Sequence, residues 1–142
     1  MRCFAEPAEG RHVVLSLDKG DLILESIKKG CEELGIRNAV VTCAIGSARK
    51  VVFHRIESTA DDPVNTYITV DEACEVGSIQ GLVLDGVPHL HISFSDRTHA
   101  YNGHLEPGSE VQYLLEVALT EMKNLNLTRK KDAFGIDYID RV

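Results

Sequence analysis

A single dipeptide, Asp85-Gly86, most constrains what this chain can fold into. It separates two β-rich runs, Cys74 to Leu84 and Val87 to Ser95. Asp-Gly between such runs is a strong short hairpin signal, because both turn positions need positive φ. A second return follows at once. Asp96, Arg97, Thr98 and His99 suit a turn, after which Ala100 to Leu105 comes back antiparallel with Ser95 facing Ala100. Counting along that ladder, His91 faces His104 and His89 lies diagonal to it. Residues two apart in a strand share a face, so the spacing predicts three imidazoles on one face of the hairpin. His89, His91 and His104 could then form a facial metal site with open positions. A three-residue loop or a bulge would turn His104 to the opposite face.

The rest of the chain reads as more short strands and one helix. Arg11 to Leu17 is a strand, and Asp18-Lys19-Gly20-Asp21 breaks it and can cap a helix. Leu24, Ile27, Cys31 and Leu34 fall at helical spacing, with Gly35 placed just past the end. Ile36 to Ile45 is a strand ended by Gly46-Ser47, read as a tight turn, and Lys50 to Ile56 is the next. A polar loop from Glu57 to Pro63 precedes a strand at Thr66 to Val70. Ser109 to Met122 fits either a strand or a helix face, and periodicity does not choose. Asn124 to Val142 is polar and charged, with Phe134, Ile136, Tyr138 and Ile139 available for packing. The sum is an α+β fold: a mostly antiparallel sheet of about seven strands, with one main helix at about 21–34 packed on it. Residues 1–142 are expected to form one domain with its core at about 11–139. A sheet that size with one helix leaves a face or an edge in need of cover, so self-association is expected.

Composition narrows the function classes. Lys plus Arg number 15 against 22 Asp plus Glu, a net charge of −7, so the basic footprint of a nucleic-acid binder is lacking. Arg129-Lys130-Lys131 is the one basic cluster and reads as solvated surface. No run approaches the ~18 apolar residues of a membrane span, and Met1 to Pro7 lacks a leader-like apolar stretch, so a cytoplasmic location is expected. Cys3, Cys31, Cys43 and Cys74 contain no C-x-x-C pair and read as buried reduced thiols. Candidates for a general acid or base near the histidines are Asp96, His99 and Glu106, none set by a motif. His12 and His54 read as ordinary strand residues.

Together, these segments resemble a known family. Gly20 to Ile27, Gly35-Ile36 with Ala39-Val40-Val41, and Ile45 to Val51 look like the PPC domain (plants and prokaryotes conserved domain). Pro88-His89-Leu90-His91-Ile92-Ser93 and Gly103-His104-Leu105 look like its most distinctive motifs, and Glu116-Val117, Arg129 and Asp132 fit its closing strands. The family often has two glycines before the third histidine, whereas here Asn102 precedes Gly103. The resemblance implies a homotrimer, strand rather than helix for Val111 to Leu119, and a divalent metal, favoured as zinc, at His89, His91 and His104. It implies a regulatory or ligand-binding role with a small-molecule ligand at the metal. A metal-dependent hydrolase is the alternative. Stand-alone prokaryotic members are usually labelled predicted DNA-binding proteins, by association with plant members that carry an AT-hook. This chain has no AT-hook, so DNA is not expected as a partner of this chain alone.

Overall fold

A computed structural model describes residues 10–142. The expectations for Cys3 and for Met1 to Pro7 lie outside the described residues. The chain runs β1 (His12–Asp18), α1 (Ile23–Glu33), β2 (Ala39–Ile56), β3 (Asn65–Val70), β4 (Cys74–Leu84), β5 (Val87–Ser95), β6 (Ala100–Leu105), β7 (Glu110–Glu121), β8 (Leu127–Lys131) and β9 (Asp137–Arg141). The first seven strands form one antiparallel sheet in the order β1-β7-β2-β4-β5-β6, with β3 added on β2. The expected α+β architecture is therefore present, and Ser109 to Met122 resolves as strand β7. No helix among the described residues is long and apolar enough to cross a membrane.

Helix α1 buries Ile23, Ile27 and Cys31, one residue per turn, against the sheet. Its C-terminus closes with paired bonds, Gly35 N–H to Glu32 O at 3.1 Å and Ile36 N–H to Cys31 O at 2.8 Å. That motif needs a left-handed residue, and Gly35 supplies it at φ 66°. The N-terminus departs from expectation. Leu22 occupies the cap with no side-chain bond, because the Asp21 carboxylate accepts from Asp18 N–H at 2.8 Å instead.

Strand β2 is the second departure. Gly46-Ser47 does not turn the chain: β2 is one continuous strand of 18 residues. Its ladder with β7 shifts register between Val41 and Cys43, between Gly46 and Ala48, and between Ala48 and Lys50. Such bulges bend and twist a strand without ending it. A Cβ at position 46 would lie 2.3 Å from Leu114 O, so the close approach to β7 admits only glycine. The bend divides the labour of β2. Its first half pairs with β7 and β4, and its second half pairs with β3 and, at Phe53↔Leu105 and His54↔His104, with β6. The run β2-β4-β5-β6 thus curls until β6 meets β2 again. The bulge after Val41 also leaves both Thr42 and Cys43 facing outward, so Cys43 is exposed, while Cys31 and Cys74 are buried as expected.

Phe53, Val76, Ile79, Leu90, Ile92 and Leu105 fill the inside of this curl with no more than 1% exposure. Phe53 meets Phe94 edge-on at 5.4 Å. The polar C-terminal segment forms a separate hairpin, β8–β9. Leu127 is its buried anchor, and Arg129 ties it to the β4–β5 hairpin by donating to Leu82 O at 3.1 Å and Val87 O at 2.9 Å. Arg129 is therefore half-buried, not the solvated surface its neighbours Lys130 and Lys131 occupy.

Candidate metal centre

The histidine strand emerges from a tight turn. Leu84 pairs with Val87, and Asp85 and Gly86 adopt φ 52° and 77°, as an Asp-Gly hairpin requires. Alternation then buries Leu90, Ile92 and Phe94 and turns His89 and His91 to the other face. The second turn holds the expected four residues, so Ser95 pairs with Ala100 and His91 with His104. The ring centroids of His89 and His104 are 4.7 Å apart, those of His91 and His104 5.6 Å, and those of His89 and His91 5.6 Å. The three imidazoles share one face, in the predicted register.

Two further residues join them. His54 pairs directly with His104 across β2 and β6 and stacks on it at 4.4 Å. Glu106 follows β6, and its Oε1 accepts a 2.5 Å bond from His54 Nδ1. The same oxygen is 3.0 Å from the buried Nδ1 of His104, so one carboxylate faces both rings. One donor atom each from His54, His104 and Glu106 lies within 4.8 Å of the others, a spacing that could hold a metal ion. His54 reads as an ordinary strand residue in sequence because the bond that recruits it spans 52 residues. No local signal marks it.

Of the three acid or base candidates, the fold brings only Glu106 to the histidines. Asp96 and His99 sit in the β5–β6 turn, beyond the four further ladder pairs that run about 13 Å from His91. Asp96 accepts from Thr98 N–H at 2.6 Å, His99 N–H at 2.7 Å and Tyr101 Oη–H at 2.9 Å, which makes it the organiser of that turn. His99 is exposed. His12 is exposed on β1 beside Thr120, at 3.1 Å.

Backbone constraints hold the histidines close. A Cβ at Gly103 would lie 2.5 Å from His54 O and 2.6 Å from Phe53 Cδ2, so glycine lets β6 approach β2. The preceding position needs no such room: Asn102 is exposed and donates to Ser93 Oγ at 3.0 Å. Burial pushes the His89 and His104 imidazoles below their ordinary pKa. For His89 the next contribution is the neighbouring His104, and for His104 it is His54. Both are thereby biased to the neutral form that binds metal. A cleft of about 570 Å³ opens over the cluster, bordered by His54, His91, Asn102 and, from the C-terminal hairpin, Ile136.

Fold and site together define a curled antiparallel sheet protein carrying an imidazole-rich outer face. The Plants and Prokaryotes Conserved (PCC) domain matches residues 4–123, and the chain belongs to that family. Among solved structures, it is similar to a metal-containing protein from Archaeoglobus fulgidus, with 27% identity, TM-score 0.81, and 97% of this chain and 98% of that chain covered. A plant- and prokaryote-conserved protein from Pyrococcus horikoshii is similar at 25% identity and TM-score 0.80, over 94% of this chain and 93% of that chain. A candidate DNA-binding protein from Bacteroides thetaiotaomicron shares the fold at 19% identity and TM-score 0.77, over 94% of each chain. No curated protein shows significant similarity to the chain.

Proposed function

We propose that this chain is a metal-binding PPC protein in which His89, His91 and His104 hold a divalent metal, most simply zinc, and leave a coordination position open for a small ligand. The observation that carries the reading is the convergence of the His89, His91 and His104 rings on one face, with the buried Nδ1 of His104 turned to Glu106 at 3.0 Å. Neutral imidazole is a donor for zinc and its neighbours in the first transition series. Glu106 beside His104 and His54 is the kind of carboxylate that orients a ligating histidine. A bound metal supplies a Lewis-acidic centre for an oxygen of the ligand. The chain's own residues do the rest: strands hold the rings, burial keeps His89 and His104 neutral, and exposed His91 lies on the side open to solvent. The Archaeoglobus relative, described as metal-containing, supports the reading.

A second donor set has its own observation. His54, His104 and Glu106 are the closer-spaced group and share His104 with the first set. Elemental analysis of tag-free protein tests both. The expected result is stoichiometric metal in the wild type, loss in His104→Ala and His91→Ala, and retention in His54→Ala. Loss in His54→Ala with retention in His91→Ala assigns the metal to the second set. A metal-free wild type, after metal is supplied, overturns the proposal.

The role we favour is regulatory or ligand-binding, by a single-domain chain assembled as a homotrimer in the cytoplasm. Free Cys31, Cys43 and Cys74 suit that reducing compartment. Exposed Val14, Ile56, Tyr67 and Tyr113 on the sheet offer apolar surface for assembly. A hydrolase is the second reading, favoured by one observation: Glu106 lies within proton-transfer reach of the cluster. DNA binding is disfavoured by the net charge of −7.

A further inference from the structure

The family match ends at residue 123, so the C-terminal hairpin with Arg129 and Asp132, expected among the family's closing strands, lies beyond it; the hairpin walls one side of the histidines. Between it and the β4–β5 hairpin is a cleft of about 360 Å³ bordered by Leu82, His89, His91, Arg129, Asp137 and Ile139. Arg129 is the unexplained residue in that cleft. Its guanidinium is half-buried, and burial makes an unpaired charge costly in proportion. Here two of its five N–H groups go to the backbone carbonyls of Leu82 and Val87, which hold it in place. No carboxylate of the described residues lies within ion-pair distance of it. Asp137 acts on it only from further away, and Asp137 is itself engaged by Lys131 Nζ at 3.0 Å. The remaining N–H groups are free to bind a ligand in the same cleft as His89 and His91.

We propose that Arg129 is the anchor for a small organic carboxylate, whose apolar body lies along Leu82 and Ile139 and whose charged head is shared between the guanidinium and the histidine site. This rests on the metal reading for the second half of that contact only. The guanidinium fork matches a planar carboxylate. A single guanidinium balances a single negative charge, and Asp137 on the same wall disfavours a dianionic phosphate. Arg129 is a specificity-determining residue in this scheme, and it selects anions over neutral analogues of the same shape.

Benzoate and its neutral counterpart benzamide test the assignment. Each is titrated by calorimetry into the full chain, zinc-loaded and chelator-treated, with metal content measured on every sample. Benzoate is expected to bind at least about tenfold more tightly than benzamide, the size of a charge-assisted hydrogen bond. Arg129→Gln is expected to abolish that preference. Because Arg129 also braces the hairpin, exposed Asp137→Asn serves as a second variant: it leaves those carbonyl bonds intact and is expected to tighten benzoate binding. Equal binding of the two probes, no binding of either, or a preference that survives Arg129→Gln in folded protein overturns the proposal. Metal without an anion preference leaves the metal reading standing and removes this one. An Arg129-dependent preference in protein that takes no metal does the reverse.

Discussion

Gly103 shows how one residue without a side chain sets the distance between two that have them. Its missing Cβ lets His54 O and the Phe53 ring reach β6, and that approach pairs His54 with His104. Gly103→Ala is expected to cost about 1–3 kcal/mol, the usual range for overpacking, measured by urea denaturation. The same variant is expected to weaken metal binding, since β6 must move away from His54. Asp96 governs the other end of the hairpin. Hydrogen bonds from Thr98 and His99 N–H hold its carboxyl far below the ordinary value of 3.8. A depressed carboxylate contributes stability that is complete above the unfolded value and lost as pH falls below it. Asp96→Ala is therefore expected to lower the melting temperature at pH 7. The gap to wild type should narrow once the pH drops below about 3.8. A gap that stays constant down to pH 2 contradicts this role.

Elements in this fold are set by their ends and their irregularities. Helix α1 stops at Gly35 because the last carbonyls are satisfied by a left-handed residue. Gly35→Ala has open space for its Cβ, so its cost is conformational alone: about 1–2 kcal/mol. Thermal unfolding of that variant isolates the cap from any packing change. Strand β2 works the opposite way, since its irregularities continue it. Gly46-Ser47 between apolar runs reads as a turn, and in one sequence a turn and a bulge leave the same mark. The distinction lies in β7, whose Leu114 carbonyl sits where a side chain at position 46 would go. By contrast β4, β5 and β6 begin and end where the sequence places them, because each boundary is a local turn: Asp85-Gly86, then Asp96 to His99.

At the scale of the whole molecule, the sheet curls and leaves edges. Among the described residues, strands β1 and β3 each pair on one side only, and Val14 at 74% and Tyr67 at 65% exposure lie on them. Light scattering after size exclusion is expected to give three times the 15.7 kDa chain mass, and a monomer mass defeats the trimer. Sequence alone determined the face shared by His89, His91 and His104. Strand alternation and an even four-residue turn are local rules, and they suffice for any pair joined by a hairpin. Only the tertiary structure brought in His54 and Arg129, and only it chose Glu106 over Asp96 and His99. His54 reaches His104 because the bulges of β2 bend it far enough for β6 to close against it. Arg129 reaches the cleft because a separate hairpin docks on β4 and β5. Both depend on how far a sheet twists and which edges meet, and those are properties of packing rather than of any short stretch of residues.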